Sequence, residues 1–201
     1  MTNITFGSDT EKITKLIHKS MPYLGLVIWD LSPFIPMLHN WRKNIIFIEC
    51  DRVAIDSLVE LLANEYPNHE IYAGVKKPAL RIRLVAREAS VVIIAREGKT
   101  RREVVGEHPK LEKCLVDLLY YAKNETLPIP LKDVVELWEH YLSGTDLISF
   151  NELYRYSLRR YLGWFVSILA YTLSRKTRLK MDERHFRSGM KNLELLKLVS
   201  A

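Results

Sequence analysis

Residues Leu24–Leu62 read LGLVIWDLSPFIPMLHNWRKNIIFIECDRVAIDSLVELL. Two apolar runs of strand length, Gly25–Trp29 and Asn44–Cys50, each lead into a segment that opens with helix-start residues. After the first run, Ser32-Pro33 supplies a capping hydroxyl and a proline at the first helical position. Pro36 follows so closely that this helix should be short or irregular, because proline removes a backbone donor. After the second run, Asp51 is placed to cap a helix whose buried face is Val53, Ile55, Leu58, Val59 and Leu62. That run stays apolar without alternation until Glu49, as expected of a strand covered on both faces. The order strand, helix, strand, helix is the unit of an α/β sheet. Ligands bind such sheets outside the carboxyl ends of the strands, which directs attention to Trp29-Asp30 and to Glu49-Cys50-Asp51.

Upstream, residues 9–20 carry Ile13, Leu16 and Ile17 at helical spacing, with Ser8 or Asp9 as cap and Pro22 as the stop. Downstream of Pro67 the pattern changes to period two. His69–Val75, Arg81–Val85 and Ser90–Ala95 read as strands, with a short one at Glu103–Val105. From Pro109 the chain is helical. In LEKCLVDLLYYAK, residues Leu111, Cys114, Leu115, Leu118, Leu119 and Ala122 form one stripe. Leu127-Pro128-Ile129-Pro130 is a rigid break, followed by helices at Leu131–Leu142, Ser149–Arg160 and Tyr161–Arg175, and again around Leu193–Val199. Ser149 and Glu152 have capping-box spacing. The expected fold is α/β (α+β): a small mixed sheet with flanking helices over residues 1–126, and a helical, basic region over residues 127–201, either separate or packed with the first as one unit.

The chain has 201 residues, 48% hydrophobic and 27% charged, an ordinary globular composition. Its apolar runs fall far short of the roughly 20 residues of a membrane span. The start, MTNITFGSDTEK, lacks the charged and apolar regions of a secretory signal. Cys50 and Cys114 read as small buried hydrophobes, and a cytoplasmic setting is expected. Residues 151–201 hold eleven Lys/Arg against four Asp/Glu, whereas the rest of the chain is close to neutral. Such an asymmetry points to an acidic partner.

Candidate sites follow from these patterns. Glu49 and Asp51 sit at alternate positions at a strand end and so face one side. A carboxylate pair of that kind holds a metal ion in nucleotidyltransferases, and Asp30 or Ser32 would then lie near the nucleotide. The glycine turn that lets backbone N–H groups cradle phosphate is missing, because the corresponding turn is Trp29-Asp30-Leu31-Ser32. Glu97-Gly98-Lys99 and Glu49-Cys50-Asp51-Arg52 resemble a carboxylate–lysine nuclease arrangement only weakly. The six histidines have no metal-ligand spacing, and there is no nucleophile elbow, phosphate loop or dinucleotide fingerprint. The densest constellation is basic: Arg155, Arg159, Arg160, Arg175, Lys176, Arg178, Lys180, Arg184 and Arg187, interleaved with Tyr154, Tyr156, Tyr161, Trp164 and Tyr171. Arginine among aromatics suits phosphate contacts and base stacking.

Four segments in order carry a resemblance. They are Val27-Ile28-Trp29-Asp30 with the helix that ends at His39, Ile45–Asp51 followed by AIDSLVELL, the helix around Asp117 (LEKCLVDLL), and Ile148–Arg160. Together they resemble the antitoxin-like domain of AbiEi-type proteins, the antitoxin side of type IV toxin–antitoxin systems. The resemblance implies an α/β domain related to nucleotidyltransferase folds without the active site, and marks Trp29, Asp30, His39 and Asp117 as motif positions. Members of that family carry an N-terminal winged helix that binds their operator. Here the first strand begins about 20 residues into the chain, which suggests a branch without it.

The expectation is therefore a non-catalytic antitoxin-like or regulatory protein of a toxin–antitoxin or phage-defence locus. It would bind nucleic acid or a protein partner through its basic C-terminal helices, need no cofactor, and have no membrane partner. The alternatives are a diverged metal-dependent nucleotidyltransferase using Glu49, Asp51 and Asp30 with Mg2+, and a structural homodimer or adaptor built on Tyr161–Tyr171.

Overall fold

The connection between the first two strands decides the sheet. The computed structural model describes residues 4–39, 41, 43–73, 91–98, 104–105, 108–144, 148–174 and 181–199. It has a mixed α/β architecture. The chain divides into two compact units: an α/β unit of Asn3–Lys110 with Tyr121–Pro130, and a helical unit of Leu111–Tyr120 with Leu131–Ala201 and Met1–Thr2. The division therefore does not fall at the Leu127–Pro130 break. Most of the helix before that break groups with the helices after it.

In the α/β unit, helix α1 (Ser8–Ser20) precedes strand β1 (Leu26–Asp30). Strand β2 (Asn44–Cys50), helix α2 (Ile55–Glu65), and strands β3 (Glu70–Ala73) and β4 (Val91–Glu97) follow. The sheet order is β1-β2-β4-β3. Strand β4 runs parallel to both β2 and β3, while β1 is antiparallel to β2. The helix expected after β1 is only a 3-10 turn, Ile35–Met37. Pro33 and Pro36 prevent a longer one, and a parallel partner would need a full crossover, usually a helix. The chain turns back instead, burying Leu31, Phe34 and Leu38.

Antiparallel pairing separates two places that the strand–helix reading put together. Asp30 lies opposite Ile46, and Glu49 lies opposite Val27. Three positions of register part them, about 10 Å along the sheet. Directly paired residues face one side and alternate along a strand, so Asp30 and Glu49 also face opposite sides. Trp29-Asp30 and Glu49–Asp51 are at opposite ends of the sheet.

One face of the sheet carries Leu26, Ile28, Ile46, Ile48, Cys50, Ile93 and Ala95, packed against Ile13 and Ile17 of α1 and Leu58 and Leu62 of α2. Val53, expected on the buried face of α2, is 92% exposed. It lies in a 3-10 turn, Arg52–Ala54, ahead of the helix. Three residues per turn instead of 3.6 rotates it out of phase with Leu58 and Leu62. The expected strands near 69–75, 90–95 and 103–105 are found as β3, β4 and a short strand β5 (Val104–Val105), which pairs with β6 (His108–Pro109). The expected strand Arg81–Val85 lies outside the described residues.

The helical unit contains most of α3 (Leu111–Lys123), then α4 (Leu131–Gly144), α5 (Phe150–Arg159), α6 (Gly163–Ser174) and α7 (Glu183–Val199). No described helix is long and apolar enough to cross a membrane. Helix α7 begins ten residues before the Leu193 expected from its apolar pattern. Asp182 caps it, accepting the His185 N–H at 2.9 Å. That backbone hydrogen bond, first among the causes, holds the Asp182 carboxyl below its usual range.

Helices α6 and α7 approach closely at Gly189. A Cβ there would stand 2.5 Å from the Ser167 carbonyl oxygen and 2.7 Å from Tyr171 Cβ. Nearby, Asn192 donates to the Ser167 hydroxyl at 3.0 Å and the Tyr171 and Phe186 rings meet at 4.8 Å. Gly189→Ala should therefore cost about 1–3 kcal/mol by overpacking. Thermal denaturation checks this, and an unchanged melting temperature would contradict the close approach.

Candidate functional site

Asp30 is fully buried and is a joint within the fold. Its Oδ1 accepts the Ser32 N–H at 2.8 Å and the Ser32 hydroxyl at 2.5 Å. Its Oδ2 accepts the Gly7 N–H at 2.8 Å and the Thr10 hydroxyl. An ionised carboxylate offers about four acceptor positions, and these four donors fill them. The cap expected from Ser8 or Asp9 is thus supplied through space: Gly7 is the N-cap residue of α1, without a side chain of its own to offer. A carboxylate at this end also complements the helix dipole.

Glu49 is buried and ion-paired with Arg96 of β4. The same guanidinium lies 5.1 Å from the centre of the Tyr121 ring. Tyr121 stacks on Phe47 at 5.2 Å, and Phe47 stacks on Trp29 at 4.3 Å. This sheet face is therefore an aromatic column ending in a charge pair. Gly98 closes over it, since a Cβ there would overlap Glu49 Cβ. Asp51 stands apart. It is exposed, has extended backbone at the N-cap of Arg52–Ala54, and makes no capping hydrogen bond with its side chain. The expected cap by Asp51 is not made, and its carboxylate does not share a buried pocket with Glu49. Burial and the Asp51 charge push the Cys50 thiol up to about 11, so it is protonated at neutral pH and poorly nucleophilic. His39 is an exposed turn residue.

The basic set divides. Arg160 belongs to a buried network centred on Asp117, which has no exposed surface. Asp117 Oδ2 accepts Lys113 Nζ at 2.7 Å, within one helix. Asp117 Oδ1 accepts the Tyr156 hydroxyl at 2.9 Å and lies 2.7 Å from the Arg160 guanidinium. Arg160 also donates to the Tyr156 oxygen at 3.0 Å and covers the Tyr120 ring at 5.2 Å. Lys113 is itself fully buried, a position a lysine occupies only when paired. Asp117 thus fastens α5 to α3. Glu112 adds a second tie, accepting the Ser149 N–H at 3.0 Å. Ser149 accepts the Glu152 N–H at 3.4 Å, the first arm of the capping box.

The other described arginines of the basic set, Arg155, Arg159, Arg184 and Arg187, lie at the surface of α5 and α7. Arg155 pairs with Glu152 at 2.5 Å and Arg187 with Glu183, both local and exposed. Such pairs hold an arginine weakly, by about 0–1 kcal/mol, so phosphate can compete for it. Helix α7 meets α5 where His185 packs against Phe150 and Tyr154 at 5.1 and 4.7 Å. Arg175, Lys176, Arg178 and Lys180 lie outside the described residues. The aromatics divide too: Tyr156 and Tyr171 are buried and Tyr154 is partly covered, but Tyr161 is 89% and Trp164 48% exposed. Among the described residues, no group of three His, Cys, Asp or Glu is placed to hold a metal ion.

One family model matches residues 4–167. The chain belongs to DUF6577, a family of unknown function. No curated protein and no solved structure matches it. The DUF6577 span takes in the aromatic column, the whole Asp117 network and the α5–α6 corner; it ends at Ser167, before the arginines of α7.

Two features within the DUF6577 span escaped the sequence reading. Lys113 and Asp117 are four residues apart, a spacing open to inspection as a helical ion pair. Their burial was not, since LEKCLVDLL reads as one apolar stripe with a polar back, whereas Leu111–Leu119 is buried on every side. The weak nuclease-like resemblance sets Glu97-Gly98-Lys99 beside Glu49–Arg52 for the sake of Lys99, which lies outside the described residues; it gives no signal that Gly98 packs on Glu49.

Proposed function

We propose that this chain is a non-catalytic, antitoxin-like regulatory protein that binds nucleic acid through its basic C-terminal helices. The observation that carries the reading is the surface position of Arg155, Arg159, Arg184 and Arg187 on α5 and α7, in a segment where basic residues outnumber acidic ones by eleven to four. Surface arginines bind phosphate at fixed donor geometry, and the exposed local pairs of Arg155 with Glu152 and of Arg187 with Glu183 are weak enough to be displaced. The order of the four segments that resemble AbiEi-type antitoxins supports the regulatory role. The interior engagement of Asp30 and Glu49 supports the non-catalytic part, since both carboxylates serve the fold.

Fluorescence anisotropy with short DNA and RNA oligonucleotides tests it. If four phosphates are engaged, log K against log salt should fall with a slope of about −3 for single strands and about −4 for duplex. Replacing the four arginines with alanine should remove most of that dependence. Undetectable binding at about 50 mM salt, or affinity that does not fall toward about 200 mM, would defeat the nucleic-acid reading. A neighbouring gene for a nucleotidyltransferase-like toxin would support the antitoxin role.

A further inference from the structure

Tyr161 occupies a backbone position that favours glycine. At the end of helix α5, the Tyr161 N–H donates to Leu158 O at 3.1 Å and the Leu162 N–H to Ser157 O at 2.9 Å. This is the Schellman pattern, whose residue after the cap is left-handed and usually glycine. Tyr161 has φ 56°, where a Cβ is strained. Its ring is 89% exposed, so the fold recovers little by burying it. Strain held at an exposed side chain is a reason to look for a function.

The surroundings say what kind. Leu158 leans over Gly163, where a Cβ would stand 2.5 Å from Leu158 Cδ2, so the end of α5 and the start of α6 make one surface. On it lie Leu158 at 53%, Tyr161 at 89% and Trp164 at 48% exposure. Arg155 and Arg159, one helical turn apart, are exposed on the same terminal turns of α5. An exposed ring and a half-exposed one beside two arginines match the chemistry of an unpaired strand: bases stack on the rings and phosphates take the guanidinium groups. A duplex hides its base faces, and a purely apolar protein partner would leave the arginines unused.

We propose that the α5–α6 corner is a stacking platform for single-stranded nucleic acid, with Tyr161 and Trp164 as its base-contacting rings. This rests on the nucleic-acid reading above and narrows it. Tyr161→Gly relieves the backbone strain and removes the ring, so it should raise the melting temperature while weakening binding. With the full chain and labelled oligonucleotides, Tyr161→Gly should lose about tenfold in affinity for single-stranded DNA or RNA and leave duplex affinity unchanged. Tyr161→Phe should bind as the parent does. Parallel single-stranded DNA and RNA arms show which strand is preferred. A Tyr161→Gly protein that binds single strands as the parent does would overturn the platform, even if the arginine variants still lose binding. A change of oligomeric state by light scattering without loss of affinity would also overturn it and assign the corner to a second copy. A parent that binds no nucleic acid would defeat the broader reading as well.

Discussion

Asp117→Asn is expected to lower the melting temperature by about 10 °C. The substitution keeps size and an acceptor for the Tyr156 hydroxyl but removes the charge that faces Lys113 and Arg160. Lys113 has no exposed surface and Arg160 keeps 24% of its side chain in water, so the loss falls mainly on the lysine. Removing one partner of a buried pair costs about 3–5 kcal/mol, because the other charge stays in low dielectric. For a chain of this size, each kcal/mol moves the melting temperature by about 2–4 °C. A double variant, Lys113→Met with Asp117→Leu, should lose less than Asp117→Asn, since it removes the two fully buried charges, retains apolar volume and leaves only the Arg160 charge, which reaches water. Circular dichroism melts of the three proteins decide the matter. If Asp117→Asn melts within about 2 °C of the parent, the network is not the tie between α3 and α5, and Asp117 becomes a candidate for chemistry.

Glu49→Gln is the second large effect, and it separates a scaffold from a metal site. Glu49 is 3% exposed and Arg96 15%, so the pair is nearly as dry as that at Asp117. The substitution leaves the arginine charge above the Tyr121 ring, and a loss of about 3 kcal/mol is expected, toward the low end because Arg96 reaches water. In the scaffold reading, Mg2+ leaves the melting temperatures of parent and variant unchanged. In the reading as a diverged nucleotidyltransferase, Mg2+ binds the folded parent and raises its melting temperature by linkage, and Glu49→Gln abolishes that rise. A magnesium-dependent rise confined to the parent would therefore overturn the non-catalytic proposal. The expected result is destabilisation without any metal response and with nucleic-acid affinity unchanged, since the basic helices lie in the other unit.

Much of the architecture was legible in local pattern. Apolar runs bounded by Pro22, Pro33 and Pro67 mark β1 and β2 to within a residue and announce α2, which begins three residues later than a cap at Asp51 implies, because proline and glycine punctuate backbone that the apolar spacing organises. The period-two region announces β3 and β4, and Leu111–Ala122 announces α3. Val53 was misread because the register of a 3-10 turn is invisible to a 3.6-residue count. The reach of α7 was missed because its first turns are polar and are specified by the Asp182 cap, not by an apolar stripe.

The candidate site was legible only in part. The basic set reads from composition, yet composition does not tell Arg160, drawn into the Asp117 network, from Arg159 or Arg184 at the surface. The aromatics between them divide the same way: Tyr156 serves the core and Tyr161 stands in water at a strained φ. Nothing in the identity of a tyrosine announces either fate.

What the sequence determined by itself is local: β1 to β5, most of the helices, the mixed α/β class and the crowding of positive charge into the last quarter. These depend on neighbours within a few residues, so spacing and residue type suffice. The tertiary structure alone decided that β1 runs against β2. With that direction came the separation of Asp30 from Glu49, which ends the single carboxylate site that Leu24–Leu62 suggested. It alone decided which charges are inside, because burial depends on residues far apart in the chain, such as Glu49 with Arg96 and Asp117 with Arg160. Desolvation makes those distant pairings costly to break, and no pattern of neighbours records it.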